Sequence, residues 1–152
     1  MNELSRILIL FLLIIFNYIF LTIGLWAWLP DLFIIQTLFF TTFLKKIPSV
    51  YFFIIKGFII DLFFSEYAVP YTISFSLIGL YLNFGSLKWI QRSFLEQTIM
   101  IFTISLILNM LLTYFIDYSS SAEFRIVVNP FLNCIMWLFI FMTQRKKWLK
   151  NF

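Results

Sequence analysis

The stretch "YFFIIKGFIIDLFFSEYAVPYTIS", Tyr51 to Ser74, decides how this chain is read. Its first fourteen residues have the apolar density of a membrane-spanning helix, yet Lys56 and Asp61 sit inside it. An ionisable residue within a span costs at least ~2.5–3.5 kcal/mol at the helix centre, so each is expected to face protein, water or a partner. Five residues turn a helix by about 140°, too far for the two charges to form an i,i+4 pair. They are therefore expected to point at different neighbours.

The same apolar density recurs on both sides of this stretch. Of 152 residues, 62% are hydrophobic and 12% charged, against roughly 25% charged in soluble domains. This composition predicts an all-α integral membrane protein in which one membrane domain fills residues 1–152. Six apolar segments can be bracketed: 7–28, 32–44, 48–64, 69–87, 97–116 and 127–142. Their lengths are uneven. Residues 32–44 rise only about 20 Å at 1.5 Å per residue, short of a roughly 30 Å hydrocarbon core, so this helix needs snorkelling by Lys45 and Lys46 or enclosure by other helices. Residues 7–28 follow Arg6 as a signal peptide would, but the run is long, lacks a small-x-small cleavage pattern and ends in the aromatic flank "LWAWLPD". They are read as a spanning helix.

Charge sets the expected orientation. With the N-terminus cytoplasmic, Arg6, Lys45, Lys46, Lys88, Arg92, Arg145, Lys146, Lys147 and Lys150 fall inside, and only Arg125 falls outside, with Glu66, Asp117 and Glu123. Positive residues favour the cytoplasmic side, which predicts six spans with both termini inside. The basic ending "RKKWLK" then reads as an anchor at lipid headgroups rather than a nucleic-acid site.

Punctuation between segments is helical. Pro30 and Asp31 suit the start of the second helix with Asp31 as N-cap, Pro48 the first turn of the third, and Pro130 the first turn of the sixth. Ser93 and Glu96 in "SFLE" have capping-box spacing. All are structural readings.

Histidine is absent, which removes a Ser-His triad and imidazole proton transfer, and the single cysteine, Cys134, gives neither a disulfide framework nor a thiol metal site. No cofactor or metal is expected, and no catalytic residue. The serines of "DYSSSAE", Asp117 to Glu123, have no histidine or lysine base beside them. Gly57, Gly79 and Gly85 permit close helix packing without forming a GxxxG motif.

The remaining candidates are the intramembrane polar residues. Counted from the outer ends of the segments at about 1.5 Å per residue, Asp61 lies about 5 Å deep, Asn109 and Asn133 about 10 Å, and Lys56 about 12 Å, all in the outer half. The expectation is a polar cluster joining the third, fifth and sixth helices. Asn109 and Asn133 would act as hydrogen-bonding glue worth ~0.6–2 kcal/mol each; docking of a partner, contact with a ligand and proton relay are the competing roles.

The order of these features resembles the MreD family, small multi-spanning proteins of the bacterial cell-elongation machinery. The residues that carry the likeness are "LPDLFIIQTLFF" (Leu29–Phe40), "KGFIIDLFFSEYAVPYTISFSLIGLYL" (Lys56–Leu82), in which Gly57 and Asp61 match a Gly-x-x-x-Asp spacing, and "NPFLNCIMWLFIF" (Asn129–Phe141). The loop "FFSEYAVP" departs from the family in having no glycine. The resemblance implies a non-enzymatic role in lateral wall synthesis at the bacterial cytoplasmic membrane. MreC would be the principal partner, with MreB and the glycosyltransferase–transpeptidase pair nearby. It makes Lys56, Gly57, Asp61 and the second and third helices the partner-contact candidates. The rival expectation is a substrate-binding membrane subunit of an ECF-type vitamin transporter, which would enclose a pocket in its outer half.

Overall fold

The computed structural model describes residues 3–44, 46–65, 68–84, 87–115 and 121–150, with side chains over 7–44, 46–65, 68–84, 87–115 and 123–144. Lys45, Glu66, Gly85 and Asp117 lie outside the described residues, as do the side chains of Arg6, Arg145, Lys146, Lys147 and Lys150. Among the described residues there are six α-helices and no strand: α1 (Glu3–Thr22), α2 (Leu32–Thr41), α3 (Val50–Phe64), α4 (Pro70–Asn83), α5 (Phe94–Phe115) and α6 (Ser121–Lys150). Short 3₁₀ turns occupy Trp26–Trp28 and Trp89–Gln91.

Two helices, α5 and the Glu123–Gln144 part of α6, are long and apolar enough to cross a membrane. Residues Ile7–Thr22 and Trp26–Thr41 pass the same test as a pair, bent by 120°, so the count is two, or three if that pair is one span. The bend corrects the expectation of a continuous helix over 7–28. At Gly24, φ is +74°, a left-handed conformation that glycine adopts without Cβ strain. Leu25 N–H donates to the Phe20 carbonyl at 3.0 Å and Gly24 N–H to that of Leu21 at 3.2 Å, a Schellman closure that ends α1.

Two antiparallel hairpins form the body. In the first, Asp61 near the end of α3 meets Tyr71 at the start of α4, while Asn83 at the end of α4 donates to the Pro48 carbonyl ahead of α3. Gly57 lets these backbones touch: a Cβ there would lie 2.6 Å from the Tyr71 carbonyl oxygen and 2.7 Å from the Thr72 Cα. In the second hairpin Asn109 of α5 faces Asn129 of α6, and at the other end Gln97 faces Trp137. Helix α2 is enclosed. Phe33, Ile34, Ile35, Thr37 and Leu38, half its ten residues, are buried, so a helix about 15 Å long is surrounded by protein rather than matched to lipid.

Helix α6 also differs from expectation. It begins at Ser121 rather than near 127, and Pro130 sits in its interior rather than its first turn. Pro48 likewise lies just ahead of α3, whose N-cap is Ser49. Asp31 does cap α2, accepting from the N–H groups of Phe33 and Ile34, both at 3.1 Å, and Ser93 and Glu96 exchange reciprocal bonds of 3.2 and 3.0 Å at the start of α5.

Burial runs opposite to that of a water-soluble bundle. Every helix except the enclosed α2 exposes large apolar side chains, such as Phe11 and Leu12 of α1, Ile55 and Phe58 of α3, and Phe131 and Phe139 of α6. Asp31, Asp61, Gln97, Asn109, Arg125, Asn129 and Asn133 are buried. In water such an exterior would be an aggregation hazard. Against hydrocarbon it is the favourable arrangement.

Candidate functional site

The non-helical backbone between α1 and α2 creates the central demand. Residues Trp26 to Asp31 form one 3₁₀ turn and an extended link, which pair only some of their carbonyls and N–H groups locally, and in an apolar surrounding each of the others costs free energy unless it finds a partner. Helix α6 supplies the partners from one row of side chains spaced four apart. Arg125 donates through one terminal nitrogen to the Trp26 carbonyl, Asn129 Nδ2 to the Leu29 carbonyl at 2.7 Å, and Asn133 Oδ1 accepts from the Asp31 N–H at 2.6 Å. Spacing by four keeps these residues nearly in line on α6. Three side chains thus hold three successive points of the connecting segment.

The same row is tied to α5. Asn109 Nδ2 donates to Asn129 Oδ1 at 2.9 Å and to the Ser105 carbonyl at 2.6 Å, Arg125 Nε donates to Asn109 Oδ1 at 2.8 Å, and Asn133 Nδ2 donates to Ser105 Oγ at 2.7 Å. Arg125 lies over the Trp26 ring at 3.4 Å from its centroid and faces Asp31 Oδ2 at 3.7 Å, both side chains being 1–2% exposed. A guanidinium suits this place because its planar fork reaches several acceptors at once while its face stacks on indole. Arg125, expected on the outer side with Glu66, Asp117 and Glu123, is buried and acts as an internal fastener.

Tyr71 extends the network to the first hairpin. Its hydroxyl donates to Asp31 Oδ2 at 3.2 Å and its backbone N–H to Asp61 Oδ1 at 3.0 Å. Asp61 Oδ2 accepts from both the N–H and the hydroxyl of Thr72, each at 2.7 Å. Helix α4 begins with Pro70 after Val69, which makes no side-chain cap. Asp61 caps it from across the hairpin, where an anion is favoured by the helix dipole.

Of the expected cluster, Asn109 and Asn133 come together and Asp61 is linked to them through Tyr71 and Asp31. Lys56 is not part of it. Its Nζ turns to α2, donating to Gln36 Oε1 at 2.9 Å and Thr37 Oγ1 at 2.7 Å. Asp31, expected as a cap alone, is both cap and hub. The cluster's principal helices are α2, α4, α5 and α6, with α3 contributing Asp61 at its edge, because the demand comes from the α1–α2 connection rather than from α3.

A smaller lock closes the opposite end of the second hairpin. Buried Gln97 donates to the carbonyls of Trp89 at 2.9 Å and Arg92 at 3.2 Å and accepts from Trp137 Nε1 at 2.8 Å. Sequence reasoning missed Gln97, Ser105, Arg125 and Asn129 as internal polar residues. The usable signal was the register: 97, 105 and 109 on α5, and 125, 129, 133 and 137 on α6, repeat in steps of four or eight.

Comparison with known proteins returns no match, whether to protein-family models, to characterised proteins or to solved structures.

Proposed function

We propose that this chain is a non-enzymatic membrane scaffold or regulatory subunit of the bacterial cell-elongation machinery, crossing the cytoplasmic membrane six times with both termini inside. MreC is the principal partner in this reading, with MreB and the glycosyltransferase–transpeptidase pair associated. The stretches Leu29–Phe40, Lys56–Leu82 and Asn129–Phe141 supply the family likeness. One structural observation favours a scaffold over a vitamin-binding subunit: the polar groups around Asp31 and Arg125 bond to one another and to backbone, whereas a substrate pocket at this end would need polar groups directed into a cavity.

Six crossings require α2, α3 and α4 to traverse with about 15–22 Å of helix each. Enclosure of α2 supports that arrangement, which would also require local thinning of the bilayer beside α3 and α4. Partner helices would pack on apolar surface by shape, with an occasional polar contact, and the exposed α3 face of Phe52, Ile55 and Phe58 offers such a surface.

Purification of the tagged protein from its own membranes in mild detergent, with mass spectrometry of what accompanies it, tests the reading. Recovery of MreC and the elongation synthases is the expected result. Recovery of ATPase subunits or a bound vitamin would replace it with the transporter reading.

A further inference from the structure

Lys56 lies in a half-open cleft of about 190 Å³ between α1, α2 and α3. The walls are mostly apolar, with Leu10, Phe40, Phe52 and Ile59 among them, and the polar groups of Gln36, Thr37 and Lys56 enter at one place. An ammonium carries three donors. Two go to the neutral oxygens of Gln36 and Thr37, and the ammonium lies over the Phe75 ring at 5.9 Å. Among the described residues no carboxylate pairs with Lys56. A cation in an apolar cleft without a counterion is costly, and the chemistry that relieves the cost is an anion carrying an apolar tail.

We infer that this cleft binds an acidic-headed acyl lipid, with Lys56 holding the headgroup and the apolar walls taking part of the chain. The volume exceeds the ~150 Å³ of an apolar cavity that accepts benzene, so a segment of alkyl chain fits. A partner helix of about 10 Å diameter does not. Depth agrees as well. Lys56 is six residues into α3, about 9 Å from its start, and α2 beside it is only ten residues long. A leaflet thinned to meet these short helices brings headgroups towards that level. The inference rests on membrane placement but not on the identity of any protein partner.

The test uses the full chain in neutral maltoside detergent, following thermal unfolding as phosphatidylglycerol, oleate, phosphatidylcholine or oleyl alcohol is added. The two acidic lipids should raise the midpoint and the two without net charge should not; the tighter of the acidic pair identifies a phosphate or a carboxylate as the preferred head. Lys56→Gln, which retains hydrogen bonding to Gln36 and Thr37, should raise the half-saturating concentration roughly tenfold, the worth of one charge-assisted hydrogen bond. Lys46→Gln, an exposed lysine at the same end of α3, should leave it unchanged. Equal responses of wild type and Lys56→Gln, or of acidic and uncharged lipids, would overturn the site. If Lys56→Gln does not fold, Ile59→Trp fills the cleft with Lys56 intact, and a retained response to acidic lipid in that variant also overturns it. Failure to capture MreC leaves the lipid response standing, so the two readings fail separately.

Discussion

Arg125 and Asp31 show how a charge pair in this chain acts through what surrounds it. Their closest approach is 3.7 Å, and each has stronger individual contacts: Arg125 with Asn109 and the Trp26 carbonyl, Asp31 with two N–H groups of α2 and the Tyr71 hydroxyl. Removing one member leaves the other buried and uncompensated, which costs about 3–5 kcal/mol, whereas replacing both by neutral groups often costs far less. Arg125→Met is therefore expected to lower the thermal midpoint in detergent more than the double variant Arg125→Met with Asp31→Asn. A double variant as unstable as the sum of the two single ones would show that the charges are independent. Arg125→Lys should also be destabilising, since a point charge cannot reach Asn109 and Trp26 together.

The α3–α4 hairpin depends on a capping carboxylate and on a missing methyl group. Asp61 caps α4 from outside that helix, so Asp61→Ala should destabilise by about 1–2 kcal/mol, the usual cost of a lost cap. Amide hydrogen exchange should accelerate at Tyr71 and Thr72 before the rest of α4. Uniform exchange along α4 would place the effect elsewhere. Gly57→Ala drives a Cβ into the Tyr71 and Thr72 backbone at 2.6–2.8 Å, while Gly79→Ala meets the Phe53 ring, whose nearest atom is 2.9 Å away. Overpacking costs typically about 1–3 kcal/mol. Because a ring can shift and a helix backbone cannot do so locally, Gly57→Ala should unfold at the lower temperature of the two.

For the molecule as a whole the proposed alternation of crossings makes a sharp prediction. In a Cys134→Ser background, Val69→Cys and Glu123→Cys should react with a membrane-impermeant maleimide in intact cells, and Lys46→Cys and Leu87→Cys only after permeabilisation. The reverse pattern would invert the protein. Labelling of 46, 69 and 87 from a single side would make the α3–α4 hairpin, with helices of fifteen and fourteen residues, re-entrant rather than spanning.

Composition and hydrophobic run length by themselves determined an all-helical chain of six uneven helices, the cap at Asp31 and the Ser93–Glu96 pair, because each rests on interactions within a few residues of sequence. The short α2 was visible for the same reason. What only the tertiary structure decided was where the buried polar groups turn. Lys56 and Asp61, five residues apart, separate towards α2 and α4. Arg125, expected on the outer side by the alternation of segments, is buried against the Trp26 carbonyl and Asn109. Helix α6 likewise begins at Ser121, ahead of the apolar run, and Arg125 near its start is held by polar contacts with Asn109 and Trp26. Backbone that leaves the helix between Trp26 and Asp31 must be satisfied by residues about a hundred positions away. A hydrogen bond across that separation leaves no mark in local composition and becomes visible only when the helices are packed.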